Sequence, residues 1–167
     1  MNYAVTSGKA NYPTRTEPLG YYCKNHLNFI STITHPESLY GRSVSVPVIF
    51  NARAETVEEK KTFRQSLFTN RCVVPSTGFY EWDEQKKKHL FRLPPGEQTL
   101  YMAGICKEYD GIQRYVILTT AANNSMKAIH DRMPVILPKD KILLWATDTA
   151  AALDYLHNEM PELVHTS

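Results

Sequence analysis

Residues 71–82, Arg-Cys-Val-Val-Pro-Ser-Thr-Gly-Phe-Tyr-Glu-Trp, constrain the fold more than any other stretch. A short apolar run over 72–74 meets a Pro75-Ser76-Thr77-Gly78 turn, and an aromatic strand leaves that turn at once. Side chains alternate along a strand, so Phe79 and Glu81 share one face while Tyr80 and Trp82 take the other. A carboxylate flanked by aromatic residues is partly desolvated, which raises its affinity for a proton and suits it to acid/base work near neutral pH. An edge-strand glutamate in open water is the other reading of the same pattern.

The neighbouring segments extend the β pattern. Residues 83–88 are a polar run between two strand signals and read as a hairpin loop. Residues 89–93 alternate, Pro94-Pro95-Gly96 turns, 100–106 is a buried strand, and Asp110-Gly111 marks the hairpin before a strand over 114–120. Strands at this spacing predict a largely antiparallel, barrel-like β core. Around it the sequence places helices. Residues 55–67 carry acidic groups early, basic groups later and a Phe63/Leu67 pair at i,i+4. Helical patterns recur over 142–146 and 149–159, a short helical turn spans 125–130, and a strand follows over 133–138. The fold class is therefore α+β.

At 167 residues the chain has the size of one domain with a sizeable core. An apolar share of 43% and a charged share of 22% are ordinary for a globular protein, and a net charge of +2 is too small to mark a nucleic-acid binder by itself. Any such role needs positive charge concentrated locally. No stretch is long and apolar enough to cross a membrane, and the first residues lack a basic-then-apolar signal pattern. The three cysteines have no metal-ligand spacing. Cys72 and Cys106 lie in apolar strand patterns and read as buried thiols of a reducing compartment, whereas Cys23, beside Tyr21, Tyr22 and Lys24, has the more open setting. Over 1–45, scattered prolines and glycines break any period, with a short apolar piece at 27–33.

Two further segments end apolar runs in polar clusters. A buried-strand pattern over 46–50 runs into Asn51-Ala52-Arg53-Ala54-Glu55, and the strand over 115–123 is followed by His130-Asp131-Arg132-Met133-Pro134. A strand end fixes such groups while the loop leaves them open to a ligand.

Taken in order, Asn51-Ala52-Arg53-Ala54-Glu55, Arg71-Cys72-Val73-Val74-Pro75 with Gly78-Phe79-Tyr80-Glu81-Trp82, Met102-Ala103-Gly104-Ile105 and His130-Asp131-Arg132-Met133-Pro134 resemble the SOS response-associated peptidase (SRAP) family of abasic-site processing proteins. The resemblance runs from about residue 50 to 137. It implies one SRAP-like domain over 1–167, with 1–45 atypical and the C-terminus shortened relative to the family. It also implies single-stranded DNA with abasic sites as partner, a monomer, no metal and no cofactor. The location it implies is cytoplasmic and nucleoid-associated in a bacterium, or nuclear in a eukaryote.

In the family, a cysteine at the mature N-terminus forms a Schiff base with the ring-opened abasic sugar and its thiol closes a thiazolidine. This chain begins Met1-Asn2-Tyr3, so the resemblance implies the imine without that ring closure. By resemblance, Glu81 shuttles protons during imine formation, His130 protonates or steadies the sugar oxygen, and Asn51 hydrogen-bonds the sugar or the nucleophile. Arg53 and Arg132 clamp flanking phosphates. The residue types suit these tasks, since imidazole changes charge nearest neutral pH and an amide both donates and accepts. Structural alternatives stand beside each role: a turn histidine paired with Asp131, a helix-capping Asn51, arginines in surface ion pairs.

Two other functions fit parts of the sequence. One is a DNA-binding remnant of the family without crosslinking. The other is a peptidase, for which no Ser-His-Asp or metal pattern is present and His26, His35, His157 and His165 have no ligand spacing.

Overall fold

The computed structural model describes the backbone of residues 22–23, 49, 51–96, 99–109 and 112–167. Among the described residues, two sheets and three α-helices pack around one main core. The larger sheet is six-stranded. Its strands are β1 (Tyr22–Cys23), β2 (Asn51–Arg53), β3 (Arg71–Ser76), β6 (Leu100–Tyr109), β7 (Ile112–Ala121) and β8 (Arg132–Pro134). The order is β1-β3-β6-β7-β2, with β8 also paired to β7. The smaller sheet joins β4 (Phe79–Trp82), β5 (Lys88–Arg92) and β9 (Val164–Thr166) in the order β4-β5-β9.

The pairings are antiparallel except for β2 on β7, which is parallel. The expected barrel-like arrangement takes the form of these two separate sheets rather than a closed ring. β8 wedges into the fork between β6 and β7. Just past it, Val135 donates its N–H to the Leu118 carbonyl and accepts from the Ala103 N–H, both at 2.8 Å.

The chain passes from β3 to β4 through Thr77 and Gly78 alone, and so from one sheet to the other. Ser76 holds this crossing, its hydroxyl donating to the Gly78 carbonyl at 2.6 Å. Only glycine fits there. A Cβ on Gly78 would lie 2.6 Å from the Phe91 carbonyl oxygen of β5. That close approach brings Phe79 and Phe91 into register, their rings stacked at 5.4 Å.

Both sheets feed the same interior. Phe79 and Phe91 belong to one buried cluster with Val73, Ala103, Ile105 and Leu118 of the larger sheet. The same cluster takes in Leu67 of α1 (Lys61–Thr69), Trp145 of α2 (Ile142–Thr147) and Ala152 of α3 (Thr149–Tyr155). Arg71 locks the helical layer to the sheet. Fully buried, it donates from Nε to the Trp145 carbonyl at 2.6 Å and from Nη1 to the Leu67 carbonyl at 2.7 Å. These carbonyls are the loose ends of α2 and α1, where a cation also meets the negative end of the helix dipole. Burial pulls the Arg71 pKa below its ordinary value.

The helix expected over 55–67 begins later, at Lys61. Residues before it form turns, with the Thr56 N–H donating to the Arg53 carbonyl and the Lys60 N–H to that of Thr56. Val57 is completely buried and pins this loop against the core. The C-terminal helix is shorter than the expected 149–159, and the last residues add a strand, β9, to the smaller sheet. Of the strand expected over 46–50 only Ile49 is described, and it is exposed and outside any strand. The piece at 27–33, the Asp110-Gly111 turn and the side chain of Cys23 lie outside the described residues.

Candidate active site

The end of β7 is where the polar segments converge. Alternation along β2 buries Ala52 in the main core and sends Asn51 and Arg53 to the opposite face. Register sets Asn51 beside Ile117 and Arg53 beside Thr119 of β7. On the other side of β7, Thr119 faces Pro134 and Ala121 faces Arg132. The Thr119 carbonyl accepts from the Ala54 N–H at 2.8 Å and from Arg132 Nη2 at 2.6 Å, which ties the β2 and β8 segments to one strand end.

Arg132 is only 9% exposed. Its two η nitrogens reach both carboxylate oxygens of Glu55 at 2.8 Å, a bidentate pair. The Arg132 hydrogen bond holds the Glu55 carboxyl below the usual carboxylate range. The guanidinium expected to clamp phosphate is thus occupied by Glu55 and Thr119, and it braces the loop after β2 against β7. Arg53 is exposed, with no hydrogen bond or ion pair from its side chain among the described residues.

His130 sits at the end of a turn over 123–130, its N–H donating to the Met126 carbonyl at 3.0 Å. The ring is partly exposed. Its Nδ1 lies 3.0 Å from the Arg132 amide nitrogen and 3.1 Å from the Arg132 carbonyl oxygen, so the tautomer sets whether it accepts from the one or donates to the other. Asp131 Oδ1 lies 3.4 Å from the same Nδ1 and is itself open to water. His130 Nε2 makes no hydrogen bond among the described residues and is the ring nitrogen left for a ligand.

Asn123 and Ser125 build this turn. Asn123 Oδ1 accepts from the Ser125 N–H at 3.1 Å and from its hydroxyl at 2.6 Å. Asn123 Nδ2 donates to the carbonyls of Met160 and Pro161, both at 3.0 Å, and Ser125 Oγ accepts from the Leu163 N–H at 3.0 Å. Residues 160–163 are thereby strapped to the turn that carries His130, immediately before they become β9.

Glu81 is carried separately, on the smaller sheet. It shares a face with Phe79, points toward the interior and is 2% exposed. Directly across the ladder stands His89, 7% exposed. His89 Nε2 donates to Asp83 Oδ2 at 2.9 Å, and this contact holds the Asp83 carboxyl below its ordinary range. His89 Nδ1 is buried without a hydrogen bond. His89 is not among the residues that the family resemblance marks, although the alternation Lys88-His89-Leu90-Phe91-Arg92 puts it on the inner face with Phe91. Nor are Asn123 and Ser125, whose Asn-x-Ser spacing is the local signal of an Asx-type turn.

Among the described residues no group of three or more His, Cys, Asp or Glu side chains is arranged to hold a metal ion. No described helix is long and apolar enough to cross a membrane.

Comparison with known proteins adds the family. The profile described as SOS response associated peptidase (SRAP) matches residues 31–165. The abasic site processing protein YoaM of Bacillus subtilis is 39% identical over 118 residues, covering 66% of this chain and 52% of its own length. The abasic site processing protein HMCES of Xenopus tropicalis is 33% identical over 117 residues, covering 54% of this chain and 35% of that protein. A solved protein of Bacteroides thetaiotaomicron aligns with a TM-score of 0.59 at 30% identity, covering 69% of this chain and 56% of that one. A phage-related protein of Bordetella bronchiseptica gives 0.60 at 28% identity, over 76% and 65%. The chain spans about half the length of the curated Bacillus relatives it matches. With the profile running across most of the sequence, this chain belongs to the SRAP family.

Proposed function

We propose that the chain binds single-stranded DNA at abasic sites and engages the ring-opened sugar through Asn51, Glu81 and His130. The observation that carries this reading is the pinned imidazole of His130. With Nδ1 engaged by the Arg132 backbone, Nε2 is the nitrogen left for substrate, held at the strand end where Asn51 and Arg53 also stand.

A proton delivered from His130 Nε2 to the sugar ring oxygen, with the C1′ hydroxyl proton passing to water, lets the C1′–O4′ bond break and frees the aldehyde. An amine of the chain then adds to the aldehyde carbon. The resulting carbinolamine loses hydroxide as water, with Glu81 supplying the proton, and leaves an imine. Burial gives Glu81 the dry setting in which such a proton is exchanged with substrate rather than with bulk water. Asn51 offers an amide to hold the sugar, and Arg53 is the exposed cation suited to a flanking phosphate. Arg132 acts through Glu55 and Thr119 as a positioning residue. The names of the relatives, abasic site processing proteins, support the substrate class.

Incubation with abasic single-stranded DNA, followed by a denaturing gel with and without borohydride, tests the proposal. A protein–DNA band that depends on reduction is the expected result, weakened in Glu81→Gln and in His130→Ala. Equal binding to abasic and intact strands, with no band under either condition, would overturn it.

A further inference from the structure

The reaction above needs an amine, and the turn that carries His130 holds one. The N–H groups of Lys127 and His130 donate to the carbonyls of Asn123 and Met126 at 2.9 and 3.0 Å, so the chain over 123–130 winds helically. On such a winding, positions three apart are surface neighbours, with Cβ atoms about 5–6 Å from each other. Lys127 and His130 stand in that relation. Met126 is completely buried and Ile129 packs against the same core, which fixes the side of the turn that faces inward. Asn123 and Ser125 anchor the turn to residues 160–163. The backbone under Lys127 is therefore held in place. Its side chain is exposed and makes no hydrogen bond or ion pair among the described residues.

Among the described residues, Lys127 is the lysine that shares an element with Asn51, Glu81 or His130. Lys88 lies over the Tyr80 ring, on the face of β4 turned away from Glu81. Lys107 pairs with Arg114, and that end of β7 is roughly 16 Å from Thr119 at about 3.3 Å per residue. Lys141 lies beyond β8, with its ammonium 3.9 Å from Asp140.

We propose that Lys127 is the nucleophile, its Nζ adding to C1′ of the opened sugar beside His130. The proposal rests on the reading that the chain engages the ring-opened abasic sugar, and it names the amine of that reaction. Neutral Nζ forms the N–C1′ bond while the carbonyl π pair moves onto oxygen. The proton that nitrogen then sheds passes through water to that oxygen, giving a carbinolamine. Protonation of its hydroxyl by Glu81 and loss of water leave a protonated imine between Nζ and C1′. A flexible stem on a fixed turn lets the amine follow the sugar as the ring opens, while the imidazole stays in place.

Borohydride trapping of the full chain on an abasic oligonucleotide, followed by protease digestion and mass spectrometry, locates the attachment. The reduced adduct is expected on Lys127. Lys127→Ala and Lys127→Arg should both lose the trapped band and unfold in urea with the wild type. Lys127→Arg separates the nucleophile from a phosphate contact, because it keeps the charge and removes the amine that forms the imine. Its affinity for an intact strand, read by anisotropy, should equal that of the wild type. A band of wild-type strength in Lys127→Arg, or attachment to the α-amine or another lysine, would overturn Lys127 as nucleophile and leave the sugar chemistry standing. Loss of intact-strand affinity in Lys127→Arg along with trapping would make Lys127 a strand contact and overturn it too. No band with the wild type would remove both proposals.

Discussion

At the end of β7, polar groups stand partly in water and most are matched: Arg132 with Glu55 and Thr119, His130 Nδ1 with the Arg132 backbone. On the inner face of the smaller sheet, Glu81 and His89 are sunk beside a stacked phenylalanine pair. The first region fixes geometry with directed hydrogen bonds and leaves its functional atoms open. The second withdraws its titratable groups from solvent. The difference teaches that directed hydrogen bonding and the burial of titratable groups fall to separate sheets, and that residues 160–166 join them. This segment is strapped to the His130 turn by Asn123 and Ser125 and then pairs with β5.

That link invites the largest perturbation. Asn123→Ala removes the amide bonds to Met160 and Pro161 and orphans the Ser125 hydroxyl, and it should cost about 3 kcal/mol in urea unfolding. Hydrogen exchange should quicken in the His130 turn and in β9 together. Loss of protection in only one of them would show that the regions are independent.

On the chemical side, Glu81→Gln should slow reducible adduct formation about a hundredfold while binding of intact DNA stays unchanged. A parallel fall in both would make Glu81 a structural residue. Arg132→Ala should destabilise the protein by about 2 kcal/mol, because it empties a nearly buried site and strands the Thr119 carbonyl. Arg132→Lys should recover part of this but lose the bidentate geometry. If Arg132→Ala left stability intact and weakened only DNA binding, Arg132 would be a phosphate clamp after all.

The smallest effect is electrostatic. Glu55 has a folded pKa below its unfolded value of about 4.5, so its pairing contributes fully above that value and fades as pH falls through the folded pKa. The pair is half open to solvent on the Glu55 side, which limits the effect to under about 1 kcal/mol. Glu55→Gln should flatten the stability profile in this acidic window and leave neutral pH nearly untouched. A profile identical to wild type would mean that solvent screens the pair completely.

Much of this arrangement was legible in the sequence because its causes are local. The period-two pattern around Phe79 placed Glu81 on an inner face, and Pro75-Ser76-Thr77-Gly78 announced the crossing between the strands. What escaped depends on long-range partners. Glu55 and Arg132 are 77 residues apart, and nothing near either one tells that they pair. The helix start moved because Val57 found a place in the core, a tertiary preference that overrides the favourable first-turn composition at 55–59. The parallel seating of β2 on β7 is likewise set by topology. Alternation over 88–92 turns His89 inward, but its place opposite Glu81 is set by the hairpin register.

Arg71 has a wider consequence. One planar cation answers the terminal carbonyls of two helices distant in sequence, at a site fully buried from solvent. Sliding α1 or α2 along the sheet would strand charge in an oily interior, so the two helices are obliged to behave as a single rigid backing.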